Sequence, residues 1–243
     1  MVKRFILAIV VLVALLLLLE LVSLIELKSK VKQYGLYWQK PRSNSGAFTY
    51  VVLGDSAAQS VGASAPQLGY VGLLAKRIAL KTGKRVRIVN LSVSGAQIKD
   101  VMDLQIPKLA RLRKIDLITL EIGANNVVHW DPISFKEQYE RLLSITPAGT
   151  IVANIPYFGG RIRRDKQATV ANHIIKEAIK DKKLSLVDLF GYTRKHQSIF
   201  NYAADLFHPS NKGYQNWCEA FWYIVERDLN TIASTNSSET KPT

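Results

Sequence analysis

Ser56 follows Gly54 and Asp55, and His208 stands three positions after Asp205. A serine hydroxyl is a weak nucleophile until a base takes its proton, and an imidazole can do so near neutral pH. A carboxylate near that imidazole can accept from the second ring nitrogen and fix the tautomer. Attack on an ester carbonyl then creates an oxyanion, which needs donors already in place. The backbone N–H groups of Ser56 and Gly95 and the side-chain amide of Asn125 are candidates for that task. A glycine suits the second position because a side chain there would block close approach. The chemistry these residues share is acyl transfer. Taken singly, each has a plainer reading: Asp55 or Ser56 as a helix cap, Asp205 as a turn residue, His208 as a helix-entry residue.

The elements that must hold these groups are legible as an alternation. Apolar strand-like runs occur at residues 50–53, 86–91, 117–122, 150–155 and 184–189. Helical periodicity fills the intervals at 69–81, 98–112, 134–145 and 167–180, and again at 212–227. Such alternation implies right-handed βαβ units and a five-stranded parallel sheet, in an α/β fold with helices on both faces. Ligands bind such sheets at the carboxyl ends of the strands. The stretches that follow strands one, two and three contain Ser56, Gly95 and Asn125, and Asp205 and His208 follow strand five.

At Gly54-Asp55-Ser56, Gly95, Gly123-Ala124-Asn125 and Asp205 to His208, the chain resembles the SGNH hydrolase superfamily, the GDSL-type esterases and lipases. The resemblance covers about residues 48–227. It implies a three-layer α/β/α, flavodoxin-like fold. It also implies Ser56 as nucleophile, His208 as base and Asp205 as its orienter, with Ser56, Gly95 and Asn125 around the oxyanion. Two positions depart from the family pattern: Ala57 stands where many members have leucine, and Asn126 where aspartate is usual. Neither removes a group that the chemistry requires.

Three further residues are candidates for the substrate pocket. His129 closely follows Asn125, and Tyr157 and Arg161 follow the fourth strand. The Gly159-Gly160 pair would let this last stretch move as a lid, although an exposed basic loop is the plainer reading. His173, within a helix, and His196, in a polar loop, read as structural or solvated. No His-x-x-x-His or Cys-x-x-Cys spacing occurs, so neither a metal nor a cofactor is expected.

The formal charge is +14. Excess positive charge suits nucleic acid or anionic surfaces, yet the basic residues are dispersed and no nucleic-acid motif accompanies them. Residues 5–19 are uninterrupted apolar residues behind Lys3 and Arg4, and the apolar pattern continues to Leu27. As a helix, residues 5–27 span about 34 Å, enough to cross a bilayer. No small-x-small cleavage site follows, so the expectation is an uncleaved single-pass anchor over residues 1–27. A tether over 28–47, a hydrolase domain over 48–229 and a disordered tail over 230–243 complete the division. The basic flank after the helix argues for a cytoplasmic domain, whereas a short basic amino terminus before an apolar run resembles an export signal. The second consideration favours a domain outside the cytoplasm.

The sequence thus points to a membrane-anchored serine esterase acting on lipid-like or envelope-polymer acyl esters, its partners being substrate and membrane. Transfer of the acyl group to a sugar or alcohol, or a non-catalytic tethered binding module, are the alternatives.

Overall fold

A computed structural model of the chain describes residues 2–40, 48–160 and 163–239. Five strands form one sheet: β1 (Phe48–Gly54), β2 (Val86–Asn90), β3 (Leu117–Glu121), β4 (Ile151–Ala153) and β5 (Ser185–Val187). All neighbours are parallel, in the order β2-β1-β3-β4-β5. β1 and β3 are buried along their whole length, which explains why both read as continuous rather than alternating apolar runs.

The helices are α1 (Val2–Gln39), α2 (Tyr70–Thr82), α3 (Ile98–Asp100) and α4 (Ile106–Leu109), the last two joined by a π-helical turn, Val101–Gln105. They continue with α5 (Ala124–Val128), α6 (Pro132–Ile145), α7 (Asp165–Ala178), α8 (Leu189–Lys195) and α9 (Asn211–Glu239). Successive β1 side chains point to opposite faces of the sheet, and each face has its own core. Tyr50 and Val52 meet α2, α9 and the end of α1; Tyr70 stacks on Phe221 there at 4.8 Å. Val51 and Leu53 pack with residues of α3, α5, α6 and α7. The result is a three-layer α/β/α arrangement.

From β1 the chain moves outward to β2, then crosses back to β3 on the other side of β1. The loops leaving β1 and β3 therefore diverge and open a crevice at the carboxyl end of the sheet. Ser56 sits on the first of these loops, and Asn125 in α5, directly after the second.

Two boundaries differ from the sequence-based expectation. Residues 28–39, expected as tether, continue α1 without a break. They contain no proline, and Tyr34 and Trp38, one turn apart, bury against the domain and hold the segment helical. The rest of that expected tether, residues 41–47, lies outside the described residues. Residues 230–239, expected to be disordered, extend α9. Extending a helix that packing has already nucleated costs little per residue, and Leu229 still packs on the core. Residues 240–243 lie outside the described residues.

The apolar half of α1 is exposed, Phe5, Leu12 and Leu19 included. The helix is long and apolar enough to cross a membrane, a property that signal sequences share.

Candidate active site

Gly54 ends β1 in a conformation that favours glycine, at φ +154°, with β3 so close that a Cβ would lie 2.4 Å from the Glu121 carbonyl oxygen. The chain then turns. Asp55 Oδ1 accepts from the N–H of Ala57 at 2.9 Å, and the Ser56 carbonyl accepts from Gln59 and Val61, so the nucleophile candidate lies in a closed turn.

A second loop, more than 140 residues later, is shaped to meet it. Tyr202 and Pro209 form an antiparallel bridge, and the Ala203 N–H donates to the His208 carbonyl at 2.8 Å. Leu206 takes a left-handed conformation (φ 54°), which brings Asp205 and His208 to the same side. Asp205 Oδ1 accepts from the N–H groups of Phe207 and His208, each at 3.0 Å, and Oδ2 lies 2.5 Å from His208 Nδ1. His208 Nε2 is 3.0 Å from Ser56 Oγ. Burial works against the Asp205 carboxylate. Hydrogen bonds and the positive charge from His208, with the N–H groups of Phe207 and His208, outweigh it and hold the carboxyl below its usual range. With Nδ1 donating to a carboxylate, Nε2 faces the serine as an acceptor.

Gly62 lets the two loops approach. It sits at φ +98°, and a Cβ there would lie 2.4 Å from the Pro209 carbonyl oxygen and 2.8 Å from His208 Cβ. The loop after β2 joins on the other side. Val93 N–H donates to the Gly54 carbonyl, Gln59 Nε2 to the Ser92 carbonyl and Ser94 Oγ to Gln59 Oε1. Gly95 sits in this loop at φ +80°. Among the described residues, neither its N–H nor that of Ser56 has an acceptor. Asn125 departs from the simple expectation: its amide donates to the Ala96 carbonyl at 2.9 Å and to Asp55 Oδ2 at 3.3 Å. Asn126 Oδ1 accepts from the Ile98 N–H, so the family-divergent position starts α3.

Below Ser56 and His208 lies a cavity of about 40 Å³, whose lining includes Ala57, Ala124, Tyr157, Phe158, Phe207 and Trp217. Tyr157 therefore reaches the site. His129 is exposed at the end of α5 and does not line the cavity, because that helix stops before it. Arg161 lies outside the described residues. The segment whose glycines would let it move as a lid is tied to the His208 loop, since Tyr202 Oη accepts from the Gly159 N–H and donates to the Tyr157 carbonyl.

Two groups were invisible in the sequence. Gln105, on the π-helical turn, brackets the residue before Asp55: its Oε1 accepts from the Gly54 N–H at 2.9 Å and its Nε2 donates to the Gly54 carbonyl at 2.8 Å. Glu121, fully buried beside the cavity, has no partner for Oε2. Burial, and then the charge of Asp55, drive its carboxyl far above the usual range. Burial also lifts Asp55, to about 6, against the lowering effects of the Ala57 N–H and His208. Among the described residues no three His, Cys, Asp or Glu side chains are grouped as a metal would need.

Comparison with models of protein families matches residues 52–215 to the GDSL-like lipase/acylhydrolase family. The chain belongs to that family. No curated protein sequence matches. Among solved structures, the chain is similar to TesA at 21% identity and a TM-score of 0.61, over 74% of this chain and 99% of that one. It is similar to a lipolytic G-D-S-L family protein from Veillonella parvula at 16% identity and a TM-score of 0.61, over 74% and 100% of the two chains. An acetylxylan esterase from Geobacillus stearothermophilus is similar at 18% identity and a TM-score of 0.54, over 73% and 94%. The shared architecture is the α/β fold of SGNH hydrolases, and the GDSL-like membership makes this chain an ester-hydrolysing enzyme.

Proposed function

We propose that this GDSL-like hydrolase is a membrane-anchored serine esterase that removes short acyl groups through an acyl-enzyme. The observation that carries the reading is the unbroken relay from Asp205 Oδ2 to His208 Nδ1, and from His208 Nε2 to Ser56 Oγ at 3.0 Å. Ser56 Oγ attacks the carbonyl carbon while His208 Nε2 takes its proton. The carbonyl π electrons move to oxygen, where the free N–H groups of Ser56 and Gly95 receive them. Asn125 joins these donors by exchanging its long bond to Asp55 for one to the oxyanion. When the tetrahedral species collapses, the ester C–O bond breaks and His208 protonates the departing alkoxide. Water, deprotonated by His208, then attacks the acyl carbon; the bond from that carbon to Ser56 Oγ breaks, His208 returns the proton to Oγ, and the acid leaves.

The size of the cavity supports a short acyl group. The cavity is about 40 Å³ and its lining by Ala57, Ala124, Phe158, Phe207 and Trp217 is largely apolar, which suits a compact acyl group. That favours acyl groups on an envelope polymer over long-chain lipid esters. The exposed apolar length of α1 supports anchoring, and the short basic amino terminus before the apolar run supports a domain outside the cytoplasm.

The test is hydrolysis of p-nitrophenyl esters of increasing chain length by the full chain in nanodiscs, as wild type, Ser56→Ala and His208→Ala. The expected profile peaks at two to four carbons, and each variant loses about a thousandfold or more in kcat. Wild-type rates in both variants would overturn the site assignment, and a peak at long chains would overturn the acyl size.

A further inference from the structure

The last turns of α1 lie against the loops of the site rather than in solvent. Tyr34 and Trp38 are each 5% exposed, and Trp38 belongs to the core cluster under β1. Tyr34 Oη donates to the Ala63 carbonyl at 2.9 Å, and Trp38 Nε1 to the Gln59 carbonyl at 3.0 Å. Gln59 is itself buried, and its side-chain amide is satisfied on both ends by one loop. Nε2 donates to the Ser92 carbonyl and Oε1 accepts from Ser94 Oγ, both at 2.7 Å. Gly95 thus sits between two fixed points, Ser94 held by Gln59 and Ala96 held by the Asn125 amide. The turn is closed by the Ala96 N–H, which donates to the Val93 carbonyl, so where the Gly95 N–H points depends on how that turn as a whole is held against the Ser56 loop.

We propose that Gln59 and Trp38 are positioning residues for the Gly95 N–H, so that the end of the apolar helix is part of the catalytic scaffold and not only its anchor. The proposal rests on the Ser56 acyl-enzyme reading. Trp38 fixes the Gln59 backbone, Gln59 fixes Ser92 and Ser94, and these fix the second oxyanion donor. A buried amide bonded at both its nitrogen and its oxygen is rigid, because flipping it would set Oε1 against the Ser92 carbonyl. One consequence is geometric: about 16 Å of continuous helix separates Leu27 from Trp38. The orientation of α1 and that of the oxyanion loop are therefore coupled.

The experiment uses the full chain in nanodiscs, with Ser56 titrated by a fluorophosphonate so that kcat is expressed per reactive serine. Gln59→Leu keeps the volume and removes the amide, Trp38→Phe removes the N–H, and Ser94→Ala removes one hydroxyl at the loop surface. Gln59→Leu is expected to lose about tenfold to a hundredfold in kcat, and the other two about threefold to tenfold. KM should stay within about threefold and the acid limb of the pH–rate profile should not move, because His208 and Asp205 are untouched. Tyr34→Phe is the control: its bond ends on Ala63, away from the Gly95 loop, and kcat should stay within about twofold. Unchanged kcat per titrated serine in Gln59→Leu would overturn the proposal. If Gln59→Leu does not fold, unchanged kcat in both Ser94→Ala and Trp38→Phe would do so. A wild type that neither titrates nor turns over ester would instead overturn the Ser56 reading on which the proposal stands.

Discussion

Asp55 shows how one side chain in this site answers to several constraints at once. Its Oδ1 closes the turn that carries Ser56, and its Oδ2 receives the Asn125 amide, yet burial raises its pKa to about 6. A raised carboxyl pKa means that the folded chain binds the proton more tightly than the unfolded chain does. The resulting stabilisation is complete below the ordinary value near 3.9 and is lost as pH rises through about 6. Urea unfolding of wild type and Asp55→Asn at pH 4.5 and pH 7.5 should therefore show wild type losing stability relative to the variant across that interval. A difference independent of pH would contradict the assigned shift. Gly62 gives a steric prediction. Gly62→Ala forces both a left-handed alanine and a contact with the His208 loop, and should cost about 1–3 kcal/mol in urea unfolding. It should also lower kcat by roughly tenfold or more through displacement of His208. Ser56, Asp205 and His208 could be named as candidates from the sequence because such chemistry is written in residue types, and the fold brings the three together. Gln59, Gln105 and Gly62 were not, because what matters is the backbone atom each one meets.

At the scale of elements, the alternation of strands and helices was readable from apolar runs and helical periodicity, since burial on both faces and on one stripe leaves different patterns. Short elements were not. α5 and α8, five and seven residues long, span too few turns to show a period. The region expected as one helix over 98–112 contains a π-helical turn, and its purpose is visible only in three dimensions: it aims Gln105 at Gly54. Gln105→Leu leaves a buried N–H and carbonyl without that partner. It should cost about 1–3 kcal/mol of stability, measured by thermal or urea unfolding. Loss of less than a few tenths of a kcal/mol would mean that Gly54 finds other partners.

For the whole molecule, the α/β core of the GDSL-like domain is preceded by a helix of 38 residues whose first part is apolar. Some of the basic residues are paired within the fold, where Arg77 and Lys81 on α2 meet Glu219 and Glu226 on α9, which leaves the net charge of +14 as it is. These pairs are exposed, and each contributes at most about 1 kcal/mol. The apolar helix was legible from composition, but its continuation to Gln39 was not, because Tyr34 and Trp38 look like ordinary linker aromatics until the domain they bury against is present. The proposed placement outside the cytoplasm predicts that external protease digests the domain in spheroplasts. Protection until the membrane is opened would place it on the other side.

The central claim is that Ser56 carries the acyl group. Quenching the full chain during turnover of p-nitrophenyl acetate, followed by peptide mass spectrometry, tests it most directly. The account predicts one acetyl adduct on the peptide containing Ser56, absent in Ser56→Ala together with turnover. An adduct on another residue, or turnover that persists in Ser56→Ala, would contradict it.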